Sequence, residues 1–254
     1  MDIEGHGAIV TGGASGLGKA TARHLASLGA DVTILDNSGE LAAQVAAEIN
    51  GHSRQCDVTR EESVAEGVNS AIARFGQAPR IVVNCAGIGI AARIIGREGK
   101  VSTKTFRQVL EVNLFGTYNV MTYAAQAMMS LNRLDNGERG VIVNTASVAY
   151  EDGQIGQSAY AASKGAIASM CLPAAREFAK QGIRVLAIAP GLFETPMMQG
   201  LPRETVDGIV ANIPFPNRLG APGEFGQLAA DIISNPYLNG TVIRLDASVR
   251  LPPR

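Results

Sequence analysis

The chain has 254 residues, 46% of them hydrophobic, enough to bury one large core. Its 22 Lys and Arg balance 23 Asp and Glu to a net charge of −1, which leaves no electrostatic footprint for nucleic acid or an anionic membrane. Three cysteines, Cys56, Cys85 and Cys171, are widely separated and lack metal-ligand spacing, so they read as reduced thiols with no metal site.

The start, MDIEGHGAIV, carries neither a secretory apolar stretch nor an Arg-rich presequence. A cytoplasmic protein is expected, and no apolar run approaches the ~20 residues of a membrane span. Short aliphatic runs at 7–12, 31–36, 53–58, 80–87, 140–147, 183–191 and 240–246 read as strands. Ala-rich segments of helical period lie between them, at 17–28, 39–49, 61–75, 105–131, 157–180 and 222–235. Alternation of this kind predicts an α/β chain: a single domain over 1–254 with a doubly wound, mostly parallel sheet of about seven strands and helices on both faces. Ligands of such sheets sit beyond the carboxyl ends of the strands. The segment 192–222 departs from the alternation and reads as an excursion over the site.

The first strand runs into TGGASGLG and then a helical stretch. Gly12, Gly16 and Gly18 leave room for a ligand against the backbone, and a helix N-terminus offers N–H donors to a pyrophosphate. The spacing, G-x-x-x-G-x-G, differs from the usual dinucleotide fingerprint, so the reading rests on the strand, glycine turn and helix context. Asp36 closes the second strand 18 residues after Gly18, where an acid can accept from adenosine ribose hydroxyls and repel a 2′-phosphate. With no Arg or Lys at Ser15 or Asn37, the expected cofactor is NAD.

Further along, SAYAASKGA places Tyr160 and Lys164 one helical turn apart, so the ammonium can reach toward the phenol. A cation there would lower the phenol pKa toward neutrality and fit it for proton transfer. A solvated surface pair has the same spacing. Ser147, at a strand end, can donate to a developing carbonyl oxygen. His6, His24 and His52 lie outside every motif.

In order along the chain, TGGASGLG, CDV (56–58), NCAG (84–87), Asn113, Ser147, Tyr160, Lys164 and PGLFET (190–195) resemble the motifs of the short-chain dehydrogenase/reductase family over essentially its whole length. The resemblance implies a Rossmann-type fold with Ser147, Tyr160, Lys164 and Asn113 as the catalytic set, Asn113 supporting a proton relay toward Lys164. It also implies cofactor contacts from Gly12, Ser15, Gly16, Leu17, Gly18, Asp36, Asp57, Val58, Asn84, Ala86, Gly87, Pro190, Gly191 and Thr195, with Tyr160 and Lys164 joining them at the nicotinamide ribose. Phrases of the second half, among them IPFPNRLG, NPYLNG and VIRLDASVR, are similar to the family's 3-hydroxyacyl-CoA dehydrogenases. That likeness implies oxidation of a 3-hydroxyacyl-CoA, with 192–222 as a substrate lid. A hydroxysteroid or another secondary alcohol is the second enzymatic reading, and a nucleotide-binding scaffold the non-enzymatic one.

Arg93, Arg97, Lys100, Lys104 and Arg107 stand against a single acid, Glu98. They are read either as contacts for coenzyme A phosphates or as a solvated loop. The helices at 105–131 and 157–180 are expected to expose Met121, Ala124, Ala125, Met128 and Ala168 and to pair between subunits of a homo-oligomer, a tetramer in related enzymes.

Overall fold

In a computed structural model describing residues 1–199 and 203–253, seven parallel strands form one sheet in the order β3-β2-β1-β4-β5-β6-β7. They are β1 (Gly7–Thr11), β2 (Asp31–Asp36), β3 (His52–Gln55), β4 (Ile81–Asn84), β5 (Gly140–Thr145), β6 (Ile183–Pro190) and β7 (Val242–Leu245). The order reverses between β1 and β4, so a crevice opens beyond the ends of those two strands.

Period-two alternation gives the sheet two apolar faces. Val10, Ile34, Val83, Val143 and Leu186 pack with α1 (Gly16–Ser27), α2 (Gly39–Glu48) and α9 (Pro222–Ser234). Ile9, Leu35, Val82, Ile142 and Val185 pack on the opposite side with α3 (Glu61–Phe75), α5 (Gly116–Met128) and α6 (Ser158–Phe178). The third strand is shorter than expected. Cys56 to Val58 form the loop that follows it, with Asp57 Oδ1 accepting from the backbone N–H and hydroxyl of Thr59 at 3.0 and 2.8 Å.

The segment expected as one helix over 105–131 is three pieces: α4 (Thr103–Leu110), a π-helical turn (Glu111–Phe115) and α5. Asn113 sits inside that turn, fully buried, with its side chain bonded away from its own helix. Side-chain bonds of this sort accompany the extra residue of a π-bulge, and such bulges gather at functional sites.

The expected intersubunit residues are not exposed. Met121, Ala124, Ala125 and Met128 face inward and fill the core between α5 and the sheet, and Ala168 packs half-buried beside Ile167 and Cys171. The 3.6-residue period gave the stripe but not which side of it meets the sheet. The side turned to solvent carries Phe106 on α4, Phe115 in the π turn, Tyr118 on α5 and Leu172 on α6.

In the excursion 192–222, α7 (Pro196–Gln199) and α8 (Arg203–Val210) are raised on a closed base. There Glu194 N–H donates to Gly220 O and Gly220 N–H to Leu192 O, each at 2.9 Å. Residues 200–202 lie outside the described residues.

Candidate active site

The loop after β1 is held from both sides. Gly12 has φ +63°, and a Cβ there would stand 2.8 Å from Ala86 Cα, so only glycine lets the two loops approach. At Gly18 a Cβ would lie 2.2 Å from Gly12 O, which ties the start of α1 to the turn before it. Ser15 occupies the N-cap of α1 without a side-chain cap bond, so its hydroxyl and the first-turn N–H groups remain for a ligand. Leu17 packs half-buried against the core below them. Asp36 Oδ2 accepts from Ala14 N–H and Oδ1 from Ser38 N–H, both at 3.0 Å. A carboxylate has about four acceptor positions, so Asp36 orders the loop and keeps capacity for hydroxyl donors.

Next to this loop the strand ends carry a polar row in register. Thr11 lies opposite Asn84, and Asn84 opposite Asn144. The Asn84 amide is committed within the sheet: Thr11 Oγ1 donates to its Oδ1 at 3.4 Å, and its Nδ2 donates to Asn144 Oδ1 at 2.9 Å. Thr11 Oγ1 also accepts from Cys85 and Ala86 N–H at 3.1 Å each, which fixes the turn carrying Gly87.

From that turn the site extends to α6. Asn113 pairs with both backbone groups of Ile88, accepting from its N–H at 2.8 Å and donating to its carbonyl at 3.0 Å. Asn113 Nδ2 donates also to Ser163 Oγ at 3.0 Å, and Ser163 donates to Tyr160 O at 2.7 Å. The side chain of Asn113 is thus a brace joining three elements. Lys164 Nζ donates to Thr145 O at 2.7 Å and lies 5.8 Å from the centre of the Tyr160 ring. A Cβ on Gly87 would be 3.1 Å from Asn113 Oδ1 and 3.7 Å from Lys164 Nζ, so glycine lets the turn reach both. Ser147, just past β5, accepts from Ala149 N–H at 3.2 Å, and its hydroxyl lies on the Tyr160 side of the strand end, where it favours ionisation of the phenol. The strand ends therefore bring Ser147, Tyr160, Lys164 and Asn113 to the same carboxyl-terminal edge of the sheet as the glycine loop.

Pro190 ends β6, and Gly191 passes so close to Asp246 that a Cβ would meet it at 2.9 Å. Thr195 comes over the glycine loop, 3.6 Å from the place a Gly16 Cβ would take. Asp57 and Val58 border the far end, the first exposed and the second buried.

A sequence profile described as short chain dehydrogenase matches residues 6–205. The chain belongs to the short-chain dehydrogenase family. The dehydrogenase is 46% identical to human "3-hydroxyacyl-CoA dehydrogenase type-2", across 99% of this chain and 97% of that one. The Drosophila melanogaster protein of the same name is 45% identical, over 96% and 97%. A crystal structure of 3-hydroxyacyl-CoA dehydrogenase type-2 from Mycobacterium avium superposes with a TM-score of 0.92 at 41% identity, covering 98% of each chain. The dehydrogenase is accordingly an oxidoreductase of a family that works with a nicotinamide cofactor.

Its electrostatics differ from expectation in one respect. Burial pushes the Tyr160 phenol above its ordinary range, and the neighbouring Ser147 hydroxyl pulls it back in part. The Lys164 ammonium, 5.8 Å from the ring, donates to Thr145 O. Burial without a counter-anion lowers Lys164 itself to about 8, and the Cys85 thiol beside it is pushed up to about 11. Thr11, Thr145 and Ser163 hold the site and were missed in the sequence, since a Thr at a strand end or a Ser in a helix carries no signal of its own. A polar Asn within an apolar helical stretch was the one available hint of the π turn.

Proposed function

We propose that the dehydrogenase interconverts a 3-hydroxyacyl-CoA and its 3-oxoacyl-CoA with NAD(H). The observation that carries this is the convergence of Ser147, Tyr160 and Lys164 where β5 meets α6, with Lys164 Nζ 5.8 Å from the Tyr160 ring, near a cleft of about 630 Å³ between Arg93 to Ile95 and residues 153–158. Tyr160 takes the proton from the substrate hydroxyl, and Ser147 donates to the oxygen as it becomes a carbonyl. Lys164 steadies the phenolate and the cofactor ribose, with Asn113 bracing the turn and α6 around it. NAD, when bound, supplies the hydride acceptor.

The residues present fit that cofactor: a cradle a Cβ would fill at Gly12, an open helix N-terminus at Ser15, and Asp36 with acceptor capacity to spare. Basic side chains near the adenosine end are engaged by acids. Lys19 and Arg23 pair with Glu48, and Arg54 pairs with Glu66. A 2′-phosphate would meet Asp36 and no idle cation among these. Arg93 lines the cleft, Arg97 and Lys100 stand exposed on the hairpin closed by Ile95 and Val101, and Lys104 and Arg107 stand exposed on α4, a basic set we assign to coenzyme A phosphates. The raised excursion 192–222 serves as the substrate lid.

A spectrophotometric panel tests both assignments: acetoacetyl-CoA, longer and branched 3-oxoacyl-CoAs and steroid ketones, each with NADH and NADPH. Turnover of 3-oxoacyl-CoAs with NADH is expected, and Asp36→Ala should narrow the preference over NADPH. Equal wild-type efficiency with both cofactors would refute the role given to Asp36. Turnover of steroid ketones alone would move the substrate to the hydroxysteroid class.

The exposed set Phe106, Phe115, Tyr118 and Leu172 supports a symmetric homo-oligomer, a tetramer, built through α4 to α6. Sedimentation should show that assembly, with Phe115→Glu and Tyr118→Glu giving smaller species. A stable, active wild-type monomer at micromolar concentration would exclude it.

A further inference from the structure

Arg244 on β7, within the VIRLDASVR phrase, has no part in the site described so far, yet its guanidinium meets three carboxylates. It donates to Glu151 Oε2 at 2.5 Å, Asp152 Oδ2 at 2.8 Å and Asp246 Oδ2 at 2.7 Å, and to Val249 O at 3.2 Å. Its side chain is 17% exposed, and those of Asp152 and Asp246 are 15% and 10% exposed, so the two aspartate contacts are largely screened from water while Glu151, 49% exposed, sits at the rim. Arg250 adds a second cation at 3.2 Å from Asp246.

Glu151 and Asp152 lie within the segment that runs from Ser147 to Tyr160 and lead directly into the cleft wall at 153–158. The same wall is tied to the strap that follows β7. Gln154 Nε2 donates to Pro252 O at 2.9 Å and Ile155 N–H to Pro253 O at 3.0 Å. The strap leaves β7 through Ala247 and Ser248, whose φ of 51° and 62° are left-handed and unusual for residues with a Cβ. Asp246 Oδ1 holds that turn by accepting from Ser248 N–H at 3.0 Å. One residue on, Val249 is buried against Ile213 and Leu219 beneath the excursion that carries α8. The turn at Asp246 therefore joins one wall of the cleft to the base of the excursion, and Arg244 is the cation that holds it to the wall.

We propose that Arg244 is a positioning residue that, through Glu151, Asp152 and the strap 246–253, sets the cleft wall 151–157 for the substrate and so governs substrate affinity rather than the chemical step. Without it three carboxylates face one another around Arg250 alone, and their repulsion drives the wall from the strap. The α6 helix keeps its own anchors at Asn113 and Thr145, so Tyr160 and Lys164 stay in place.

The inference uses the 3-oxoacyl-CoA reading only for its kinetic arm. Arg244→Gln should raise KM for acetoacetyl-CoA about tenfold, the scale of one displaced contact, with kcat and NADH affinity within about twofold. Amide hydrogen exchange of the substrate-free variant should quicken at 151–157 and 249–253, and not over α1 or α6. Adding Glu151→Gln and Asp152→Asn removes the repulsion and should recover part of the KM, which a purely structural loss would not. Should Arg244→Gln fail to fold, Asp152→Asn carries the same split in smaller size. Unchanged exchange at 151–157, or a parallel fall of kcat and NADH affinity, would overturn the proposal. If the wild type turns over no 3-oxoacyl-CoA, the substrate reading fails while the exchange arm still decides the brace.

Discussion

Tyr160→Phe is expected to retain NADH binding and lose about 10²- to 10⁴-fold in turnover, the usual contribution of a positioned general acid or base. The substitution removes one oxygen and leaves the half-buried ring in place, so packing around it survives. Ser147 still accepts from Ala149 N–H, so the strand end does not collapse. In the cofactor-free protein burial holds the phenol above its ordinary value of ~10. The proton is thus firmly bound until the site fills. With substrate and NAD present, the oxidation rate should rise with pH through an apparent pKa below ~10, a property of the coupled Tyr160 and Lys164 site rather than of either residue. Fluorescence titration with NADH and initial rates across pH measure both halves. A variant keeping half the wild-type rate would mean that the proton leaves by another route.

Much of this site was legible in the amino-acid order because its parts are short and local. The glycine loop, Asp36 and the Tyr160 to Lys164 spacing are each fixed within one strand end or one helical turn. The sheet was equally plain, since every strand but the polar β3 is a compact aliphatic run and Ala-rich stretches lie among them. What escaped was decided by contacts distant in sequence. Nothing local shows that Asn84 is consumed by Thr11 and Asn144, because that row exists only once β1, β4 and β5 lie in register. The inward turn of Met121 and Met128 depends on where the sheet lies against α5, which helical period alone leaves open. The orientation of Lys164 follows the same rule. Its spacing allows contact with the phenol, but the nearest strong acceptor is the Thr145 carbonyl, supplied by β5.

That orientation makes Lys164→Met a variant with two large and opposite effects. The lysine is buried, and its pKa falls from 10.5 to about 8 on folding because burial disfavours the ammonium. Below pH 8 the folded protein therefore carries the cost of a buried charge, on the order of 3 kcal/mol. Methionine fills similar space without charge, and the lost bond to Thr145 O offsets only about 1 kcal/mol of the gain. The cofactor-free variant should consequently melt several degrees higher at pH 7, at roughly 2–4 °C per kcal/mol for a chain of this size. The sign of the pH dependence follows from proton counts. Between about 8 and 10.5 the unfolded lysine holds a proton that the folded one has released, so wild-type stability gains on the variant as pH rises through that window. Function moves the other way: without the ammonium, NADH binds more weakly and turnover falls with that of Tyr160→Phe. Calorimetry of both proteins at several pH values, beside NADH titration, separates the effects. A variant less stable than wild type at pH 7, by a margin that pH does not change, would show that Lys164 is held as a neutral or well-compensated structural group.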